Sequence, residues 1–135
     1  MKKLQQYIVV DDDRTNNLIC EYVIKDWDPQ ARVQLFLEPE LALKNIEENH
    51  KDFGFPVLLF LDVNMPSMSG WEFLDIFKTF DDDIKKSFVI YILTSSTEDF
   101  SREAEEYPFV SGFLSKPLKK KYLENIELEM EAISE

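Results

Sequence analysis

The 135-residue sequence predicts an α/β fold in which helices cover both faces of a five-stranded parallel sheet. Short apolar runs alternate with helical patterns five times, which is typical of a doubly wound sandwich with right-handed crossovers. Several runs are apolar without alternation, as expected of strands buried on both faces. The length suits a single domain, and the 44% hydrophobic content excludes disordered and low-complexity proteins.

Five apolar runs are the predicted strands. The runs at 7–10, 57–61 and 88–93 are continuous and predict central strands. The runs at 33–37 and 110–114 contain polar residues or glycine, which suits strands nearer the sheet edges. In such sheets ligands bind beyond the carboxyl ends of the strands, so the residues that follow each run are the candidates for function.

Helical patterns follow the first two strands. The first forms one apolar stripe at helical spacing, which we expect to face the sheet. This stripe consists of Leu18, Ile19, Tyr22, Val23 and Trp27. The second helix is predicted to begin at Glu38-Pro39, because proline at a first-turn position loses no helical hydrogen bond. Its apolar residues are Leu41, Ala42, Leu43 and Ile46.

Three further helices are predicted. The third begins near Gly70, and the acidic run at 81–83 lengthens the stretch that follows it. Its predicted buried residues are Trp71, Leu74 and Phe77 or Phe80. The fourth spans 97–107, and the last runs from Pro117 to the end of the sequence. The apolar side of the last helix consists of Leu118, Tyr122, Ile126, Met130 and Ile133.

The composition excludes several kinds of partner and site. With 27 acidic and 15 basic residues the net charge is −12, so direct binding to nucleic acid or to an anionic membrane is not expected. One cysteine and one histidine exclude an intramolecular disulfide and a structural zinc site. The N-terminus lacks the apolar core of a signal peptide, and no apolar run is long enough to span a bilayer. These observations predict a cytoplasmic protein.

Polar and charged residues follow four of the predicted strands. They are Asp11-Asp12-Asp13, Asp62-Val63-Asn64, Thr94-Ser95-Ser96 and Ser115-Lys116-Pro117. Carboxylates that meet at one edge repel each other unless a cation lies among them. Mg²⁺ suits such an oxygen-rich, half-open site and can also hold the oxygens of a phosphoryl group. Asp62 is then the candidate nucleophile that forms an aspartyl-phosphate, with Lys116 and Thr94 as a positive charge and a hydroxyl donor beside it.

These segments resemble the receiver domain of bacterial two-component response regulators. The matching residues are Val9-Val10-Asp11-Asp12, Leu61-Asp62-Val63-Asn64-Met65-Pro66, Leu93-Thr94-Ser95 and Ser115-Lys116-Pro117. Their order, their strand-end positions and nearly the whole chain agree with that family. The resemblance implies a flavodoxin-like, CheY-like sheet of strand order 2-1-3-4-5. It also implies one receiver domain over residues 1–135 without an output domain.

The resemblance implies the chemistry of the acceptor site. Asp62 would accept a phosphoryl group from a sensor histidine kinase or a histidine phosphotransfer protein. Mg²⁺ would be bound by Asp12 and Asp62, by Asp11 directly or through water, and by the backbone carbonyl of Asn64. Such a module would catalyse only its own phosphorylation and dephosphorylation.

The resemblance further implies a response to phosphorylation. Thr94 and Lys116 would contact the phosphoryl oxygens, and Phe113 takes the place of an aromatic switch that swings inward as Thr94 moves. The Lys116–Pro117 bond is expected to be cis. The helix–strand–helix surface over 97–133 would dock an unknown downstream protein, and a phosphorylation-dependent homodimer through that surface stays an open alternative.

Some residues depart from the common family pattern, and two other functions compete. Ser95 stands where a smaller alanine is frequent, and Phe113 lacks the hydroxyl of the frequent tyrosine, which leaves its role as a switch open.

An aspartate-nucleophile phosphatase of the haloacid-dehalogenase type needs a second acid two residues after Asp62, where this chain has Asn64. A phosphorylation-silent scaffold is the third alternative, and the complete acceptor set gives no reason to prefer it. Asp13 is interpreted as a helix cap rather than a ligand.

Overall fold

The computed structural model describes residues 6–53, 56–95 and 97–134, and these residues form a five-stranded parallel sheet with helices on both faces. The strands are β1 (Gln6–Val10), β2 (Arg32–Phe36), β3 (Val57–Leu61), β4 (Phe88–Thr94) and β5 (Val110–Ser115). Their order is β2-β1-β3-β4-β5, and every neighbouring pair is parallel. The predicted fold and strand order are confirmed, and β2 and β5 lie at the edges as predicted.

Helices connect the strands. They are α1 (Arg14–Trp27), α2 (Pro39–Asn49), α3 (Gly70–Phe77), α4 (Asp82–Lys86), α5 (Ser101–Glu106) and α6 (Lys120–Ser134), with a 3₁₀ turn at His50–Asp52. None of the helices within the described ranges combines the length and the apolar character that a transmembrane segment needs. Ser96 and the side chain of Ile133, both named in the sequence analysis, lie outside the described residues.

The sheet separates two apolar clusters, because successive side chains of a strand point to opposite faces. Strand residues on one face are Ile8, Val10, Val57, Leu59, Leu61, Phe88, Ile90 and Ile92, and they pack with α2 and α3. Those on the other face are Tyr7, Val9, Leu58, Phe60, Tyr91 and Leu93, and they pack with α1 and α6. All five residues of β3 are buried, which explains why its sequence is apolar without alternation.

The predicted apolar stripe of α1 is only partly confirmed, because Val23 and Trp27 pack against the apolar cluster on that face of the sheet. Three of its residues are exposed, namely Leu18, Ile19 and Tyr22. The buried residues of the helix are instead Asn16, Asn17, Cys20 and Ile24. Asn17 lies inward because its amide Nδ2 donates to the carbonyl oxygens of Asp11 (3.1 Å) and Phe36 (3.4 Å). The inner face of α1 therefore combines these hydrogen bonds with apolar contacts of Cys20, Ile24 and Trp27, and the two together orient the helix.

The segment after α3 also differs from expectation. The acidic run at 81–83 begins α4, a short helix that was not predicted and that buries Ile84. Its first turn is acidic and its last turn is basic, which matches the helix dipole at both ends. The fourth predicted helix, α5, is shorter than predicted, and the last one begins at Lys120 rather than at Pro117. Leu41 of α2 is exposed, whereas the other three apolar residues named for that helix are buried.

The N-terminus of α3 packs directly on the loop after β3. The backbone N–H of Gly70 donates to the carbonyl oxygen of Val63 at 2.8 Å. A Cβ added at Gly70 would lie 2.6 Å from the carbonyl oxygen of Asp62 and 3.0 Å from the Cα of Val63. Ser69 and Glu72 form a reciprocal capping box at this end. Because Gly70 has no side chain, α3 can approach the backbone of Asp62 this closely.

Gly70→Ala should destabilise the fold, because the new Cβ meets backbone atoms that cannot rotate away. We expect a loss of about 1–3 kcal/mol in the free energy of unfolding, which outweighs the better helix propensity of alanine. Equilibrium unfolding over a series of urea concentrations measures this free energy. Gly112→Ala is the comparison, since its Cβ would meet the side chain of Tyr91, and should cost less. Wild-type stability of the Gly70 variant would contradict the close approach.

Candidate functional site

The candidate site begins with two aspartates that directly follow neighbouring strands. The Asp11 N–H donates to the carbonyl oxygen of Phe36 at 3.0 Å, and the Asp62 N–H donates to that of Val10 at 2.9 Å. Both residues thus continue the hydrogen-bond pattern of the sheet, which fixes their backbones. Asp11 is 1% exposed and Asp62 is 6% exposed. Two carboxyl groups are therefore buried side by side, which is costly unless positive charge or hydrogen bonds compensate them.

A third carboxylate completes an acidic cluster. Oxygen atoms of Asp11, Asp12 and Asp62, one from each carboxylate, lie within 4.8 Å of one another, and Asp12 is exposed. All three are hard oxygen donors, and the site is open to solvent on the side of Asp12. This donor set fits Mg²⁺, which prefers carboxylate oxygens and retains several waters.

Lys116 supplies positive charge to the two buried carboxylates. Its Nζ lies 2.6 Å from Oδ2 of Asp11 and 3.4 Å from Oδ1 of Asp62, and its side chain is 17% exposed. The Lys116 N–H donates to the carbonyl oxygen of Thr94 at 2.9 Å, and the following peptide bond to Pro117 is cis. Burial alone would lower the pKa of Lys116, but hydrogen bonds and charge from Asp11, together with Asp62, raise that pKa above its ordinary value.

The electrostatics of the site act most strongly on Asp62. Burial and the negative charge of Asp11 raise the pKa of Asp62 to about 6, although Lys116 and the Val63 N–H oppose this shift. Without a further cation, a fraction of Asp62 is therefore protonated close to neutral pH. A divalent ion among the three carboxylates would favour the ionised, nucleophilic form.

The Asp11 carboxylate is held by three donors. Oδ2 accepts from Nδ2 of Asn16 at 2.8 Å as well as from Lys116, and Oδ1 accepts from the Asp13 N–H at 2.9 Å. The Asp13 side chain itself accepts from the N–H groups of Thr15 and Asn16, which confirms its interpretation as a helix cap. Asn16 was not among the predicted site residues. Asn16 lies near the start of α1 and close to Asp11 in the sequence. This spacing indicates a contact with Asp11 only when the inward-facing side of α1 is known.

The remaining predicted site residues lie at different distances from the cluster. Thr94 ends β4 and is 5% exposed, and the register places it beside Ser115, the residue before Lys116. Asn64 is exposed on the loop after Asp62. Phe113 is half-buried on β5 and stacks on Phe100, with ring centroids 5.6 Å apart. Sheet topology thus gathers the acidic residues and Lys116, whereas Phe113 belongs to a neighbouring aromatic group.

A family model described as "Response regulator receiver domain" matches residues 7–126. The chain belongs to this family. The match covers the strands, the acidic cluster and Lys116, and it confirms the resemblance drawn from the strand-end residues. Receiver domains are signalling modules of two-component systems, and they accept phosphoryl groups from histidine kinases or phosphotransfer proteins.

Solved receiver structures have the same fold. A two component response regulator from Cytophaga hutchinsonii is 26% identical, with a TM-score of 0.84 over 95% of this chain and 97% of that one. A response regulator receiver protein from Dyadobacter fermentans is 21% identical, with a TM-score of 0.80 over 91% of this chain and 94% of that one. The second likeness supports the fold alone, because its identity is low.

A curated relative contains a matching segment. The cyclic di-GMP phosphodiesterase response regulator RpfG of Xanthomonas campestris is 29% identical over 116 residues. The match covers 86% of this chain and 29% of the relative. The receiver chain therefore spans less than a third of the length of that relative.

An aromatic clamp, defined as Trp71, Phe100, Tyr107 and Phe113, holds α5 of the receiver. None of the six residues of α5, all of them described, is buried. Phe100 and Tyr107 flank this helix, and Trp71 of α3 contacts both, with ring centroids 5.5 Å and 5.4 Å away. Trp71 also lies 6.4 Å from the ring of Phe113. The sequence suggested a core residue at Trp71, but its half-buried ring links α3 to both ends of α5.

One hydrogen bond strengthens the clamp. The Tyr107 hydroxyl donates to Oδ1 of Asp75 on α3 at 2.8 Å, and Nζ of Lys78 lies 5.6 Å from the centre of the Tyr107 ring. The C-terminal end of α5 is therefore attached to α3 by stacking, by a hydrogen bond and by a cation–π contact.

Asp62→Asn should stabilise the metal-free protein at high pH. Because the folded-state pKa of Asp62 is raised, its protonated form stabilises the fold below about pH 4, and this stability is lost as the pH rises through about 6. The free energy of unfolding of the variant should therefore exceed that of wild type by about 3 kcal/mol at about pH 8, and the difference should vanish towards about pH 4. Urea unfolding in a chelating buffer measures this. Asp81→Asn is the control, because it removes an exposed carboxylate and should leave the pH dependence of stability unchanged. If the stability difference between Asp62→Asn and wild type were the same at every pH, the raised pKa of Asp62 would be contradicted.

Tyr107→Phe should loosen α5 without unfolding the domain. The variant keeps the stacking on Trp71 but loses the hydrogen bond to Asp75, at a cost of about 1 kcal/mol. Amide hydrogen exchange should become faster over Ser101–Glu106 than over β1, which is distant from the clamp. Equal protection of α5 in both proteins would show that the hydroxyl does not hold this helix.

Proposed function

We propose that this receiver accepts a phosphoryl group on Asp62 in a Mg²⁺-dependent reaction, from a sensor histidine kinase or a histidine phosphotransfer protein. The observation that carries the proposal is the arrangement around Asp62. Its carboxylate lies in the cluster with Asp11 and Asp12, and Nζ of Lys116 is 3.4 Å from its Oδ1. An anionic nucleophile, a metal-ligating set and one ammonium group are the parts that phosphoryl transfer to a carboxylate requires.

In the proposed reaction a carboxylate oxygen of Asp62 attacks the phosphorus of a phosphohistidine. An O–P bond forms as the P–N bond breaks, and the leaving imidazole takes a proton from solvent. Lys116 would neutralise negative charge on the phosphoryl oxygens, and the Thr94 hydroxyl would donate a hydrogen bond to them. When bound, Mg²⁺ supplies further charge neutralisation for these oxygens.

The acidic residues would share the work of holding the metal. Asp12 is exposed, whereas both Asp11 oxygens already accept hydrogen bonds. We therefore assign direct ligation to Asp12, Asp62 and the backbone carbonyl of Asn64, with Asp11 acting directly or through water. Asp11 additionally orients Lys116 through the 2.6 Å ion pair.

The proposed output is a change of the surface formed by α5, β5 and α6, within residues 97–133. A phosphoryl group adds nearly two negative charges at Asp62, which would attract Lys116 and Thr94. Lys116 follows β5, and Phe113 of β5 belongs to the aromatic clamp that holds α5, where it contacts Phe100 and Trp71. We propose that Phe113 and α5 rearrange together and that the altered surface binds a downstream protein or a second copy of the domain. The signal then passes by protein contact, with no direct binding of nucleic acid and no membrane insertion.

Asp62→Asn should abolish phosphoryl acceptance. Wild type incubated with acetyl phosphate and Mg²⁺ should gain one labile phosphoryl group by intact mass, and the amide of the variant cannot form an acyl phosphate. Asp13→Asn is the matched control, because asparagine also caps helices well and Asp13 is proposed to bind no metal. It should be labelled like wild type. Continued labelling of Asp62→Asn would place the acceptor elsewhere.

Mg²⁺ should raise the melting temperature by relieving repulsion among the three carboxylates. At a Mg²⁺ concentration ten times the dissociation constant the gain is about 1.4 kcal/mol, and Asp12→Asn should lose most of it. Differential scanning fluorimetry across a Mg²⁺ series measures the effect, with Asp82→Asn as a control for a remote exposed carboxylate. An equal Mg²⁺ response of the Asp12 and Asp82 variants would argue against the cluster as the metal site.

A further inference from the structure

Asn16 is a buried amide that contacts the acidic cluster from α1. It is 6% exposed, and its Nδ2 lies 2.8 Å from Oδ2 of Asp11. The same amide lies 3.7 Å from the Cys20 sulfur, within the apolar layer under α1. Asn16 thus occupies an inner helical position where an apolar residue would bury more favourably, and its polar end points to a site carboxylate.

Asn16 and Lys116 donate to the same oxygen. Nζ of Lys116 is 2.6 Å from Oδ2 of Asp11, and the opposite oxygen, Oδ1, accepts only from the Asp13 N–H among the contacts described. Lys116 is also 3.4 Å from Asp62. If Lys116 turns towards a phosphoryl group on Asp62, its contact with Asp11 weakens. Asn16 is then the side-chain donor that stays on Oδ2, and it keeps the buried Asp11 carboxylate in place.

We propose that Asn16 is a positioning residue of the acceptor site, which holds the Asp11 carboxylate in the orientation that Mg²⁺ binding and phosphoryl acceptance require. This inference rests on the proposed function of Asp62. Residues that hold metal-site carboxylates by hydrogen bonds commonly affect metal affinity or activity by about 10- to 100-fold when they are removed. Asn16 carries no charge, so it orients Asp11 without competing with Mg²⁺ for the cluster.

The neighbouring Asn17 provides a matched control. It is also buried, at 2% exposure, and its Nδ2 also donates to Asp11, but to the backbone carbonyl oxygen (3.1 Å) and to that of Phe36 (3.4 Å). Loss of its amide should weaken the attachment of α1 to the sheet and leave the Asp11 carboxylate with its three donors. Comparing variants of the two adjacent asparagines thus distinguishes positioning of the Asp11 carboxylate from support of the fold.

The experiment compares Asn16→Leu and Asn17→Leu, with Asn16→Ala and Asn17→Ala as second variants if the leucine side chains prevent folding. Calorimetric titration with Mg²⁺ alone gives the affinity, and intact mass after incubation with acetyl phosphate gives the rate of acceptance. Both Asn16 variants should weaken Mg²⁺ binding about 10-fold or more and slow acceptance to a similar extent. Both Asn17 variants should melt earlier but bind Mg²⁺ within about twofold of wild type.

The possible outcomes separate this inference from the proposed function. Wild-type Mg²⁺ affinity and acceptance in the folded Asn16 variants would overturn the role of Asn16 alone. An equal loss of affinity in the Asn17 variants would also overturn it, because general support of α1 would then explain both. If wild type accepts no phosphoryl group, the proposed function fails, but the Mg²⁺ titration still decides the role of Asn16. If wild type binds no Mg²⁺, the inference is overturned.

Discussion

The structure depends on the burial of two carboxylates, Asp11 and Asp62, beside one ammonium group. Neighbouring parallel strands place them together, and the apolar layers on both faces of the sheet keep them from solvent. Lys116 reaches both carboxylates, yet the pKa of Asp62 is still raised to about 6. One positive charge therefore does not fully compensate two buried negative ones, and the proposed Mg²⁺ would supply the remaining positive charge.

Several other features follow from keeping these carboxylates in place. Asn16 supplies a neutral donor to the Asp11 carboxylate, while the adjacent Asn17 attaches α1 to the sheet through the backbone carbonyl of Asp11. The α1 helix consequently turns two polar side chains inward and leaves Leu18 and Tyr22 exposed. On the other side, Gly70 lets α3 approach the backbone of Asp62 within contact distance. The acidic site thus orients one helix by hydrogen bonds and another by close packing.

The contacts of α3 extend this arrangement to α5. Gly70 lies against Asp62, and the next residue, Trp71, contacts Phe100, Tyr107 and Phe113. Because α5 buries none of its own residues, its position depends on these flanking rings and on the Tyr107–Asp75 hydrogen bond. A helix held at its two ends can shift at small cost when one contact changes, which is the property that the proposed response of this surface to phosphorylation requires.

The sequence by itself determined the sheet and the acidic residues of the site. Apolar runs indicate buried parallel strands, and parallel strands bring the residues that follow them to one edge, so the sequence alone groups Asp11, Asp62 and Lys116. Only the tertiary structure decided the phase of α1, the presence of α4 and the bridging position of Trp71. In α1, Asn16 and Asn17 turn inward because a buried carboxylate or carbonyl takes its hydrogen bonds from the segment that packs beside it, and apolar spacing within one helix does not indicate this. The burial of Ile84 in α4 and the ring contacts of Trp71 depend on segments that are distant in the sequence and meet only in the folded chain.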